Sequence, residues 1–127
     1  MPRKKKQTLP FDNRGGVLVQ RTHLLKSDVY LSLSPQAKVL MTLLQIQWRN
    51  DKPVDYGIRE AREKIPCSDK TASKAFNQLQ ERGFIACVEE SFFSSRTQSR
   101  TRSWRLEWLP FNDRPPTNTW EKLANEN

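Results

Sequence analysis

The chain has 127 residues, of which 28% are charged and 35% are hydrophobic, and its mean hydropathy is −0.81. No apolar run reaches the roughly 20 residues that a membrane span needs, and the basic N-terminus has no apolar stretch typical of a secretory signal. We therefore expect one domain with no membrane partner. Two cysteines are too few for a disulfide scaffold, which favours a reduced, cytoplasmic setting.

The charge is strongly basic and unevenly distributed. Lys and Arg number 22 against 14 Asp and Glu, a net charge of +8. Residues 1–33 hold 7 basic and 2 acidic groups, and residues 91–106 hold 4 basic groups and no acidic group. This surplus predicts a polyanionic partner, with charge that serves solubility alone as the alternative.

The N-terminal part of the chain is predicted to be a basic flexible arm over residues 1–16, because it carries two prolines and ends in Gly15 and Gly16. Residues 17–19 fit a short strand. Thr22 fits the cap of a short helix, and residues 30–33 fit either a helical turn or a strand.

Three helices are predicted next. Ser34 and Pro35 begin a helix whose apolar residues, from Ala37 to Trp48, predict a central core element. Asp55 is predicted to cap a short second helix over residues 56–64, which ends before Pro66. Ser68 caps the third helix. Its expected buried stripe is Ala72, Ala75, Phe76 and Leu79, and Gly83 ends it.

The period then changes to two, which predicts strands over residues 84–88 and 103–109. In the second strand we place the tryptophans and Leu106 on one face, and Arg105 and Glu107 on the other. Residues 90–102 are predicted to form a long polar hairpin loop. Residues 110–127 fit an extended C-terminal tail in which Trp120 anchors back on the body.

This order of elements predicts an α+β fold, a winged helix-turn-helix with a three-helix core and an antiparallel β-hairpin wing, over residues 17–109. Two short helices joined by a three-residue turn cross steeply, so the second can project from the body.

The stretch resembles small winged-helix DNA-binding proteins of phage, prophage and plasmid replication or regulation modules. The resemblance rests on four pieces: Leu33-Ser34-Pro35-Gln36-Ala37-Lys38, Lys70-Thr71-Ala72-Ser73-Lys74-Ala75-Phe76, Leu79-Gln80-Glu81-Arg82-Gly83-Phe84-Ile85 and Ser103-Trp104-Arg105-Leu106-Glu107-Trp108-Leu109-Pro110. It implies a non-enzymatic protein that binds double-stranded DNA in transcription or replication control, at the nucleoid in the bacterial cytoplasm.

The third helix is the first candidate DNA contact. A helix fits the major groove, where Asn or Gln can read adenine with two hydrogen bonds, and groups near the helix N-terminus can hold phosphates. Asp69 argues against contact because it repels phosphate, unless it accepts a hydrogen bond from cytosine. The alternative is a solvated face. The candidate residues are Ser68, Lys70, Thr71, Ser73, Lys74, Asn77 and Gln78.

Two basic segments are further candidates. Residues 94–102 of the predicted wing carry Arg96, Arg100 and Arg102 and no acidic group, and arginine matches phosphate or enters a narrow minor groove. The arm carries Arg3, Lys4, Lys5 and Lys6, which can lie along phosphates. The alternatives are a solvated loop and a solubilising tail.

Catalysis has little support in the sequence. His23 is the only histidine and has no acid or nucleophile at a telling spacing, and Cys67 and Cys87 lack neighbouring metal ligands. We expect no enzymatic activity, metal, cofactor or small-molecule ligand. The alternative function is a winged helix used as a protein-interaction module. RNA binding and a homodimer both stay open.

Overall fold

The elements of the chain are described in a computed structural model over residues 14–94, Arg96 and residues 99–124. Within these residues lie six helices and a three-stranded antiparallel sheet, so the predicted α+β class is confirmed. None of the described helices is long and apolar enough to cross a membrane. The helices are α1 (Thr22–Lys26), α2 (Asp28–Leu31), α3 (Pro35–Ile46), α4 (Ile58–Lys64), α5 (Asp69–Glu81) and α6 (Thr119–Ala124); the strands are β1 (Val54–Tyr56), β2 (Ile85–Ser94) and β3 (Ser99–Leu106).

The two longest helices begin at their predicted capping residues. The Ser34 hydroxyl accepts a hydrogen bond from the backbone N–H of Ala37 at 3.1 Å, and the Ser68 hydroxyl accepts from Thr71 at the same distance. These bonds satisfy N–H groups that have no partner within the helix. Gly83 follows α5 with a φ of 78°, a left-handed conformation that glycine adopts without strain. The local capping rules are therefore enough to place α3 and α5.

The first strand of the sheet is a correction to the sequence prediction. Asp55 does not cap a helix; it lies in β1, and α4 begins only after Gly57. β1 pairs antiparallel with β3, with Val54 opposite Trp104 and Tyr56 opposite Arg102. A three-residue strand carries almost no period of its own, so its conformation is decided by pairing with residues almost 50 positions away.

The hairpin is also longer than predicted. Residues 90–102 do not form a long loop, because β2 runs to Ser94 and β3 begins at Ser99, where the two residues pair. Residues 95, 97 and 98, at its turn, lie outside the described residues. Irregularities in the β2–β3 register lie between Cys87 and Glu89 and between Glu89 and Phe92. The strand order in the sheet is β1-β3-β2.

The chain before α3 differs from the prediction as well. Residues 17–19 do not form a strand, and Val19 is 73% exposed. Its carbonyl accepts a hydrogen bond from the Gln45 side chain at 2.8 Å instead of a strand partner. Thr22 is the first residue of α1 rather than its cap. The ambiguous residues 30–33 begin in α2, which Ser27 caps through Tyr30.

The core lies between α3, α5 and the sheet. Phe76 of α5 stacks on Trp104 of β3, with ring centroids 5.2 Å apart, and contacts Tyr56 at 6.5 Å. The buried stripe predicted for α5 is confirmed. Glu107, predicted to face outward, is buried after the end of β3 and accepts a hydrogen bond from the Thr117 hydroxyl.

The C-terminal segment packs onto this core. Trp120 is 2% exposed and stacks on Phe84 with centroids 5.9 Å apart, which confirms the predicted anchor. The tail is not extended throughout, because Trp120 lies in α6. Burial of this large aromatic side chain packs α6 against the body.

Candidate nucleic-acid interface

The outward face of α5 carries three polar side chains in one row. Lys70, Lys74 and Asn77 are all exposed, and spacings of four and three residues place them on the same side of a helix. The opposite side of α5 is buried against the core. Within the described part of the chain, none of the three side chains makes a hydrogen bond or an ion pair. This row therefore presents two cations and one amide to solvent.

The flanks of α5 are less available. Thr71, Ser73 and Gln78 are half-buried. The Gln78 side-chain oxygen accepts a hydrogen bond from the backbone N–H of Ser34 at 2.9 Å, so this residue joins α5 to the start of α3. The sequence placed Gln78 among the outward DNA contacts; the structure assigns its amide oxygen to the body instead.

The start of α5 is organised by capping and by one ion pair. The Ser68 hydroxyl accepts from the Thr71 N–H and donates to the Thr71 hydroxyl at 3.0 Å, so the Ser68 hydroxyl is already engaged as donor and acceptor. Arg62 of α4 lies 3.1 Å from the Asp69 carboxylate. This pair offsets the negative charge that argued against phosphate near the helix N-terminus.

Arg96, at the turn of the hairpin, is held against the body. Its guanidinium nitrogens lie 2.7 and 2.9 Å from the two carboxylate oxygens of Glu60 in α4, and one of them also donates to the Asp55 carbonyl. The guanidinium also lies 5.7 Å from the Tyr56 ring centroid. The hydrogen bond to Glu60 raises the pKa of Arg96. A guanidinium engaged on three sides is a tether for the hairpin rather than a free DNA contact.

Tyr56 lies beneath this tether and is 2% exposed. Burial and the nearby Glu60 carboxylate raise the pKa of its phenol to about 12, whereas the Arg96 charge works in the opposite direction. Glu60 and Tyr56 were not among the predicted site residues. Their only sequence signal is an acid near the start of a short helix and an aromatic residue before it.

Among the remaining predicted DNA contacts, only the side chain of Arg102 belongs to the described part of the molecule. Arg102 is exposed on β3 and has no hydrogen bond or ion pair with any other residue that the structure describes. The backbone of Arg100 lies in the same strand. Its side chain, and the arm residues Arg3, Lys4, Lys5 and Lys6, lie outside the described part of the molecule.

Residues 14–94, 96 and 99–124 were predicted to hold no metal site, and the structure shows no cluster of metal-ligating side chains among them. No three His, Cys, Asp or Glu side chains there are grouped to hold a metal ion. The His23 side chain is 75% exposed and lies 3.8 Å from the Glu121 carboxylate. Cys67 and Cys87 are half-buried, and no disulfide joins them.

Comparison of the chain with protein-family models, with curated proteins and with solved structures found no match. The fold brings Lys70, Lys74 and Asn77 together on α5. It assigns Gln78 and Arg96 to contacts within the protein.

Proposed function

We propose that the chain is a winged-helix protein that binds double-stranded DNA sequence-specifically, in transcription or replication control of a mobile element or bacterial operon. The order α3, β1, α4, α5, β2, β3 and the sheet order β1-β3-β2 support the winged-helix assignment. In this arrangement α4 and α5 form the helix-turn-helix, and the β2–β3 hairpin is the wing.

The observation that carries the proposal is the exposed row on α5. Lys70 and Lys74 supply positive charge, and Asn77 supplies an amide that can donate to and accept from the edge of an adenine. A helix presenting such a row fits the major groove, with the lysines contacting phosphates beside it. The Arg62–Asp69 pair supports this docking, because it offsets the acid nearest to the DNA.

The wing supplies phosphate contacts beside α5. Arg102, which is exposed on β3, is the described candidate, and Arg100 lies two residues before it. Arg96 is a positioning residue in this account, because its contact with Glu60 orients the hairpin against α4.

The test is a selection of bound duplexes from a random pool, followed by binding isotherms on the selected site and on a scrambled one. Lys70→Ala and Lys74→Ala should weaken binding to both duplexes. Lys26→Ala is the matched control, since Lys26 is equally exposed but lies on α1. Enrichment of no sequence, or equal losses in all three variants, would contradict the proposal. Better competition by a single-stranded or duplex RNA would favour RNA as the partner.

A second candidate, a protein-interaction module, is favoured by one surface. Val39 and Ile46 on the outer side of α3 are 46% and 57% exposed, two turns apart, with the half-buried Leu43 between them. Exposed apolar side chains in one stripe are typical of a surface that meets a second copy or another protein. Sedimentation analysis of the chain and of Ile46→Glu tests this. Loss of self-association in the variant supports a homodimer through α3.

A further inference from the structure

A cavity of about 250 Å³ lies between the segment that leads into α1 and the segment that follows β3. None of the residues that line it is a predicted DNA contact. Leu24, Trp108 and Trp120 are 2%, 6% and 2% exposed, so they form its floor, and Pro110 and Pro116 complete the apolar wall. Apolar concave walls with few polar groups are typical of small-molecule sites.

The walls of the cavity are fixed by hydrogen bonds. Gln45, a 7% exposed residue of α3, donates to the carbonyl of Val19 at 2.8 Å and accepts from the Trp108 indole N–H at 3.3 Å. It thereby connects two opposite sides of the cavity. The Trp120 indole N–H donates to the Asn118 side chain at 3.4 Å. Both indole N–H groups therefore already have partners within the protein.

The ionisable residues that line the cavity lie at its mouth. Val19 is 73% exposed there, beside the exposed Arg21 and His23 and the half-buried Glu121. The Glu121 carboxylate lies 3.8 Å from His23 Nε2. Arg21 has no acidic partner among the residues that the structure describes. An unpaired guanidinium at the rim of an apolar cavity is suited to a carboxylate.

We propose that this cavity binds a flat aromatic carboxylate of up to two rings, with the rings against its apolar walls and the carboxylate at Arg21. The size follows from the volume, since an apolar cavity of about 150 Å³ already admits one benzene ring. The site joins the two terminal segments of the domain, so its ligand is a candidate effector. This inference does not rest on DNA binding and is tested without DNA.

The experiment is calorimetric titration of the full chain with 2-naphthoate. We expect saturable one-to-one binding. Val19→Trp narrows the mouth and should weaken binding about tenfold or more, because the rings lose buried apolar contact. Val17→Trp is the matched control: it places the same indole on an exposed residue that does not line the cavity, and should leave affinity unchanged.

The carboxylate is tested with the neutral analogue 2-naphthol. Arg21→Gln should weaken 2-naphthoate about tenfold while leaving 2-naphthol unchanged, because only the charged ligand loses a partner. Lys26→Gln, at the far end of the α1 helix that Arg21 precedes, should alter neither ligand. No saturable binding to the unmodified chain, or equal losses in Val17→Trp and Val19→Trp, overturns the site. Equal affinity of the unmodified chain for the two ligands overturns the role of Arg21.

Discussion

Asn77 is the residue from which we expect base discrimination. It is exposed in the row on α5, and its amide can make two hydrogen bonds to one base. Asn77→Ala should therefore weaken binding to the selected duplex by about 1–3 kcal/mol and leave the scrambled duplex almost unchanged. Fluorescence anisotropy at one salt concentration measures both. Equal losses on the two duplexes would place Asn77 on phosphate instead.

Its neighbour Gln78 is the control, because the two residues are adjacent in sequence and differ in their contacts. Gln78 accepts from the Ser34 N–H, so Gln78→Ala should lower the free energy of unfolding by about 1 kcal/mol. The Gln78→Ala variant should keep the base preference of the unmodified protein.

Phe76 tests the buried side of the same helix. It is 2% exposed between Tyr56 and Trp104. Phe76→Ala should lower the free energy of unfolding by about 3–5 kcal/mol, since the change removes buried area and leaves a cavity. Denaturant unfolding followed by tryptophan fluorescence measures this. A loss below about 1 kcal/mol would contradict the placement of α5 against the sheet.

Tyr56 gives a prediction in alkaline solution. Its pKa is about 12 in the folded protein against an ordinary 10. The folded state thus retains the phenol proton after the unfolded state has lost it, and Tyr56 should make stability fall as pH rises from 10 toward 12. Absorbance at 295 nm, as the difference between the unmodified chain and Tyr56→Phe, should show a midpoint well above 10. A midpoint near 10 would mean that Tyr56 is solvated.

At the scale of elements, α3 and α5 could be predicted from the sequence because their signals are local. A serine cap, a favourable first turn and a buried stripe all lie within one helix length. β1 could not be predicted in this way, because Val54–Tyr56 is a strand only through its partners in β3. The opposite error concerns residues 17–19, which are apolar but do not form a strand.

The β2–β3 hairpin, which carries part of the candidate site, also could not be predicted from local sequence signals. Its polar composition predicted a loop, whereas backbone pairing extends both strands to Ser94 and Ser99 without needing apolar side chains. The sequence also gives the charge of Arg96 but not its partner. Glu60 lies 36 residues earlier in the chain, and only the folding of α4 beside the hairpin brings the two together.

The Glu60–Arg96 contact is predicted to orient the wing. Double-mutant cycles with Glu60→Gln and Arg96→Gln should give a coupling of about 1 kcal/mol, at the upper end for partly exposed pairs, since Glu60 is only 19% exposed. Arg59–Glu63, on the outside of α4, is the matched control and should give about 0.3–0.5 kcal/mol. Couplings that do not differ would contradict the tether.

At the scale of the whole molecule, the structure separates three surfaces. The row on α5 and the wing carry exposed positive charge, the outer side of α3 is apolar, and the cavity lies between the terminal segments. For DNA binding, the positively charged surface of α5 and the hairpin must act together with the basic arm of residues 1–16. The cations available are Lys70, Lys74, Arg100 and Arg102 together with part of residues 3–6, which gives about five to seven phosphate contacts.

The most direct test of DNA binding is the affinity of the full chain for the selected duplex as a function of salt concentration. Each neutralised phosphate releases counterions, so the logarithm of the binding constant should fall against the logarithm of salt with a slope of about −4.5 to −6. Arg102→Ala should reduce the magnitude of this slope by about one. A slope near zero, or no binding to duplex DNA at low salt, would contradict the account.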